Sequence, residues 1–366
     1  MPQRESGGTP AFDELGWTAD RAMAFAPLAA AGLYPGRVIS SEGSVAVTAT
    51  GPVDVVIQRR FAREVTDRTE LPAVGDWLAL EAVGADAQQG ALREVLPRGG
   101  TFVRQRPSDG QAQVLAANVD VAFLVSGLDH DLNLRRIERY LLLALDGGVT
   151  PIVVLNKVDV AVDLEGAVSD VHAVAAGTRI IVTSAIEGTG LAELRGTLEA
   201  GQTACLLGSS GVGKSTITNA LLGEERQAVK ALREDDSKGR HTTTHRELFA
   251  LPGGGLLIDT PGLRTVGVLG DGDTVSATFD EIETLARGCR FSDCRHEREP
   301  GCAVQAALLA GTLSAARFAS QQRLEAERHA AEIRADERAR READRRMGKF
   351  FKQHKKDLRR QGRKDY

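Results

Sequence analysis

The chain has 366 residues, a formal net charge of −4 and 42% hydrophobic residues, enough apolar content to bury more than one core and too much for wholesale disorder. The average charge conceals a division: residues 321–366 carry 16 Lys/Arg against 9 Asp/Glu, whereas the rest of the chain carries 30 against 41. A basic tail on an acidic body predicts a polyanionic partner met by selected surfaces. The opening MPQRESGGTPAF has no apolar stretch after its charges, and no run of about 18 apolar residues occurs, which argues against a signal peptide or a membrane span and for a cytoplasmic protein.

Residues 1–34, polar and then Ala-rich, are taken as an N-terminal extension. Over 35–106, short β-like runs alternate with Gly-containing turns (GRVISSEGSVAVTATGPVDVVIQRRF, PAVGDWLALEAV, GALREVLPRGGTFVRQR), the pattern of a small OB-like β-barrel. Nine Arg balance nine Asp/Glu there. Phe61, Trp77 and Phe102 supply few stacking aromatics, so contact with RNA would run through backbone and shape, with Arg59, Arg60, Arg63 and Arg68 as the candidate phosphate contacts.

From about Asn118 the character changes. VDVAFLVS, PIVVLN, RIIVTSA, ACLLG and LLIDT are continuous apolar runs, as expected of strands buried on both faces of a parallel sheet. LRRIERYLLLAL lies between the first two, with Leu134, Ile137, Leu141 and Ala144 at helical spacing. Alternation of strand and helix makes residues 107–275 an α/β domain. Residues 276–320 read as a small helical domain interrupted by a Cys/His cluster. An Ala/Arg/Glu-rich helix then runs to about Met347 and opens a basic tail, 321–366.

The strongest single signal follows ACLL: Gly208, Ser209, Ser210, Gly211, Val212, Gly213, Lys214, Ser215 and Thr216 form a complete phosphate-binding loop leading into the helical TITNALL. Its backbone N–H groups would wrap the phosphates at a helix N-terminus, Lys214 would reach the β/γ-phosphates and Ser215 would ligate Mg²⁺. Asn156, Lys157 and Asp159 end the run PIVVL as NKVD. A carboxylate such as Asp159 can accept from both N1–H and the exocyclic amine of guanine, a donor pair adenine lacks. Ser184 and Ala185 end RIIVT, where a backbone N–H can reach guanine O6. Asp259 ends LLI as DTPG, placed to hold Mg²⁺ through water, with the Gly262 N–H placed to sense the γ-phosphate. Four partial signals at the C-terminal ends of parallel strands specify GTP collectively.

Their order is unusual: base-reading segments precede the phosphate loop, and HTTT (241–244) and DTPG follow it, so the GTPase segment is circularly permuted. The residue after DTPG is Leu263, an apolar side chain that cannot orient water, so intrinsic hydrolysis should be slow. That also leaves open a non-catalytic, GTP-dependent RNA-binding switch.

Cys289, Cys294, His296 and Cys302 offer three thiolates and an imidazole within 14 residues, the donor set of a closed, structural Zn²⁺ site. Cys205 falls within an apolar run and reads as core. In the last twenty residues eight Lys/Arg stand against two acids. There Lys349, Lys352, Lys355, Lys356, Arg359 and Arg360 are the candidate contacts to RNA phosphates.

GSSGVGKST, GRHTTTHRELF, LLIDTPGLR, the permuted order, LPAVGDW and FSDCRHEREPGCAV together resemble the circularly permuted, small-ribosomal-subunit-dependent GTPases of bacteria, over roughly residues 35–320. The resemblance implies an OB barrel, a permuted GTPase domain and a zinc domain. It also implies a monomer that binds GTP, GDP and the small subunit's rRNA, with hydrolysis stimulated by that subunit and coupled to its late maturation and to release. By the same resemblance His241 is the candidate catalytic residue, and Thr243 is the favoured Mg²⁺ ligand among Thr242, Thr243 and Thr244.

Overall fold

The computed structural model describes residues 12–40, 45–58, 67–84, 88–105, 111–129, 131–223, 246–259, 279–315, 317–326, 329–330, 333 and 347. They fall into two compact units, Met1–Gly267 and Val268–Tyr366.

The first unit begins with helix α1 (Ala19–Ala30), capped by the Thr18 side chain on the Arg21 N–H. Five strands follow: β1 (Tyr34–Ser40), β2 (Val45–Thr48), β3 (Gly51–Val56), β4 (Trp77–Val83) and β5 (Gln89–Val95). They pair in the order β1-β2-β3-β5-β4, and β4 returns to β1 from Tyr34↔Leu80 to Arg37↔Trp77, which closes the barrel. Alternate residues point inward, so Val38, Ala46, Val53, Val55, Leu78, Leu80 and Leu92 fill its interior. Arg68 is exposed at the start of the 3-10 turn Arg68–Glu70. Arg59, Arg60 and Arg63 lie outside the described residues.

A hairpin of β6 (Thr101–Gln105) and β7 (Ala112–Ala117) leads out of the barrel. The parallel sheet then builds from β8 (Val121–Gly127), β9 (Thr150–Asn156), β10 (Arg179–Thr183), β11 (Thr203–Gly208) and β13 (Leu256–Asp259), with β12 (Glu247–Ala250) antiparallel beside β13. Its order, β10-β9-β8-β11-β13-β12, continues into the barrel through Ser40↔Glu247. The apolar runs have this shape because successive residues serve opposite cores. Ala122, Leu124, Val153, Leu155, Cys205 and Leu207 pack under α2 (Leu134–Asp146) and α3 (Leu164–Val174). Val121, Phe123, Val125, Ile152, Val154 and Leu206 pack with Leu194 of α4 (Leu191–Arg195) and with Ile217 and Leu221 of α5 (Lys214–Leu222).

Barrel and sheet are fastened at one buried point. Gly75 (φ +91°) approaches β7 so closely that an added Cβ would stand 2.1 Å from the Ala117 carbonyl oxygen, so only glycine fits. Arg37, 1% exposed, donates to the carbonyls of Leu15, Gly75 and Asn118 and to Thr203 Oγ1 at 2.7 Å, and its guanidinium lies 5.6 Å from the Trp77 ring centre. Residues 12–33, expected from the sequence only as part of an N-terminal extension, cover this point: Phe12, Trp17 and Phe25 join Trp77 in an aromatic cluster, and Arg21 donates to Asn118 Oδ1.

The second unit carries α6 (Asp280–Ala286) and α7 (Ala303–Leu309), with helical residues at 317–326. Phe279, Ile282, Val304, Ala307, Leu313 and Phe318 are buried in it. Among the described residues no helix is long and apolar enough to cross a membrane.

Candidate functional site

The phosphate-binding loop sits where β11 hands over to α5. Gly213 caps α5 with φ +101°, and a Cβ there would meet Asn156 Nδ2 at 2.3 Å. Val212, fully buried, anchors the loop in the core. The ammonium of Lys214 donates to the Gly208 and Ser209 carbonyls at 2.8 and 2.5 Å, folded back over the loop it would share with phosphates. Ser210 and Gly211 are exposed, and Ser215 and Thr216 are half-buried in the first turn of α5.

The base-side residues converge through Asn156, which is 2% exposed. Its Nδ2 donates to the Val212 carbonyl at 2.9 Å, while its Oδ1 accepts from Thr183 Oγ1 at 3.1 Å and the Ala185 N–H at 3.2 Å. One amide therefore binds the phosphate loop to the segment after β10. The Ala185 N–H, expected at guanine O6, is engaged by that amide. Lys157 adopts φ +68°, and its ammonium donates to Asp129 Oδ2 at 2.6 Å. Asp159 is exposed in the turn Val158–Val160. Ser184 is buried, and its hydroxyl accepts from the Glu187 N–H at 3.2 Å. Asp259 ends β13, two strands from β8, half-buried. His241, Thr243 and Gly262 lie outside the described residues, as do Lys349, Lys352, Lys355, Lys356, Arg359 and Arg360.

Sequence reasoning missed the loop after β8. Asp131 takes both oxygens to Arg136 Nη1 at 2.8 and 2.9 Å and accepts from Ser209 Oγ at 2.5 Å. The only signal was the pair of acids in LDHD, directly after a buried strand.

In the second unit the four donor atoms of Cys289, Cys294, His296 and Cys302 lie within 4.8 Å of one another. His296 Nδ1 is 3.6 Å from Cys289 Sγ and 3.4 Å from Cys302 Sγ, and the two sulfurs are 3.9 Å apart. Tetrahedral coordination with Zn–S of about 2.3 Å and Zn–N of about 2.0 Å requires separations of about 3.8 Å for S···S and about 3.5 Å for N···S. The separations among Cys289, His296 and Cys302 match these values, and with Cys294 all four donors lie close enough to share one ion. His296 is held at φ +59°, the Gln305 N–H donates to Cys302 Sγ at 3.3 Å, and Gln305 Nε2 donates to the His296 carbonyl at 2.5 Å. Burial disfavours a thiolate at Cys289, yet the N–H groups of Val304 and Ala303 hold that thiol below its ordinary value. Burial and the neighbouring thiols push Cys294 up to about 11. Crowded thiols oppose each other's ionisation, and a divalent cation removes the conflict. Cys205, by contrast, is wholly buried in the sheet and its thiol is pushed far up by that burial.

A closed barrel joined to a P-loop sheet whose base-side segments precede the phosphate loop defines a circularly permuted GTPase. A sequence model described as RsgA GTPase matches residues 95–269. A relative from Opitutus terrae named small ribosomal subunit biogenesis GTPase RsgA is 47% identical, covering 89% of this chain and 92% of its own. One of the same name from Streptomyces coelicolor is 46% identical over 91% and 90%. The chain belongs to the RsgA GTPase family. The crystal structure of YjeQ from Thermotoga maritima superposes with a TM-score of 0.58 at 25% identity, covering 81% of this chain and 98% of that one. YloQ, a circularly permuted GTPase, shares the fold with a TM-score of 0.56 at 22% identity, over 81% and 95%.

Proposed function

We propose that this protein hydrolyses GTP on the small ribosomal subunit and couples that step to late subunit maturation and its own release. The observation that carries the reading is the Asn156 amide, which fixes the phosphate loop and the base-side segment as one site. The names of the relatives, matched over nearly the whole of both chains, supply the subunit. In this reading Gly208 to Thr216 and Gly262 hold the phosphates, Lys157 and Asp159 face guanine, and the Ala185 N–H would exchange its bond to Asn156 for guanine O6, with Ser184 buried beside it. Asn156 orders that pocket from behind. When bound with the nucleotide, Mg²⁺ neutralises phosphate charge; Ser215, Thr243 and Asp259 would hold it. His241 would orient the attacking water, since Leu263 has no group to do so.

The Cys3His set would hold Zn²⁺ as a structural ion, because four protein donors leave no position for water. The working division is an extension (1–34), an OB domain (35–106), a GTPase domain (107–275), a zinc domain (276–320) and a basic tail (321–366), in a monomeric cytoplasmic protein. RNA contacts fall to Arg59, Arg60, Arg63 and Arg68 and to the tail lysines and arginines.

The test is GTP turnover with no addition, with small subunits, with large subunits and with bare rRNA, for the natural protein and for His241→Ala. Small subunits should raise the natural protein's turnover by orders of magnitude more than large subunits do, and His241→Ala should lose most of that rise. Stimulation of equal size by both subunits overturns the small-subunit assignment, and equal stimulation of both proteins removes His241 from the mechanism.

A further inference from the structure

The loop between β8 and α2 carries two carboxylates, Asp129 and Asp131, that lie outside the nucleotide motifs described above. We propose that Asp129 and Asp131 are positioning residues for the bound nucleotide, Asp129 acting through Lys157 and Asp131, neutralised by Arg136, acting through Ser209. The proposal rests on the GTP-binding reading above and assigns the parts that hold that site in shape.

Both carboxylates are held by named partners. The Asp131 N–H donates to Asp129 Oδ1 at 3.1 Å, which places the Asp129 carboxylate against the Asp131 backbone. Asp129 Oδ2 takes the Lys157 ammonium at 2.6 Å, with the two side chains 32% and 24% exposed. Partial burial works against its charge, but Lys157 and the Asp131 N–H outweigh it and hold the carboxyl below the usual range. Lys157 is therefore tethered at its tip as well as by its left-handed backbone, beside Asp159.

Asp131 faces the other way. It accepts from Ser209 Oγ at 2.5 Å, and the Ser209 carbonyl accepts from the Lys214 ammonium at 2.5 Å. One side chain thus separates a carboxylate from a loop built for phosphates. Such a charge would repel the nucleotide unless cancelled, and the paired contacts from Arg136 Nη1 cancel it. The Arg136 backbone is placed by the cap at the start of α2, its N–H donating to Asn133 Oδ1. The arrangement makes a signed prediction, because GTP carries one more negative charge than GDP.

The experiment is equilibrium titration of a fluorescent GDP and a non-hydrolysable GTP analogue in Mg²⁺, with thermal melting of each variant alongside. Arg136→Met uncovers Asp131 and should weaken the GTP analogue about tenfold and GDP about fourfold; Asp131→Asn leaves Arg136 uncancelled and should shift the ratio towards GTP by about threefold. The double variant should return the ratio to within about twofold of the natural protein. Asp129→Asn should weaken both nucleotides by one common factor of about five, since it acts on the base side. Shifts of opposite sign are not produced by a merely structural role, and the Asp131→Asn shift reads the same charge if Arg136→Met does not fold. Nucleotide ratios unchanged in folded Arg136→Met and Asp131→Asn, a double variant no better than Arg136→Met, or a folded Asp129→Asn that binds both nucleotides as tightly as the natural protein, overturn the proposal. A natural protein that binds neither guanine nucleotide overturns instead the reading on which it rests.

Discussion

Arg37 shows how much a single side chain can hold together. Burial, and then the neighbouring Arg21, lower its guanidinium to about 9, so it stays charged at neutral pH with three carbonyls, a hydroxyl and the Trp77 face around it. Arg37→Met would leave those carbonyls buried without their donor, a loss of about 3 kcal/mol. Urea denaturation followed by tryptophan fluorescence should show it, since both tryptophans, Trp17 and Trp77, belong to this cluster. An unchanged midpoint would mean that water replaces the guanidinium. Nothing in the sequence marked Arg37, because an arginine in a short β-like run usually faces solvent. Asn156 was legible as part of a motif, but its role as an internal tie was not, since NKVD has the same spelling whichever way the amide points.

At the scale of elements, the strands with one fate throughout were the readable ones. β8 and β11 are buried along their whole length, so their apolar runs carry no competing pattern. The closed barrel was likewise legible from alternation and turns. Helix α1 was not: Pro27 lies inside it and alanines give it a weak face, so only tertiary contacts define it. Strands β7 and β12 escaped as well, β12 because four residues are too few for a period to register. The Cys/His segment was legible as ligands from spacing, and the described residues add the N–H groups that donate to the sulfurs. Its stability should come from its ion. Chelation, or Cys302→Ser, should release one equivalent of zinc and open residues 279–326 to protease, while tryptophan fluorescence, which reports only the first unit, stays unchanged. Release of the ion with no new cleavage would show that the unit folds without it.

At the scale of the whole molecule, charge is segregated by sequence region and not spread evenly. If the tail meets rRNA phosphates, deleting residues 347–366 should lower the slope of log affinity for small subunits against log salt by about two to four, with GTP affinity preserved. A slope that does not change assigns the binding to the barrel and the zinc unit.

The seam Ser40↔Glu247 makes the barrel the neighbour of β12, and β12 would otherwise end the parallel sheet. A bare terminal strand is a template for another molecule's strand. The barrel therefore occupies one end of the outer edge of β12. A GTPase segment cut free at residue 107 would keep its nucleotide motifs yet expose that strand, and light scattering at matched concentration should show it associating more readily than the intact chain.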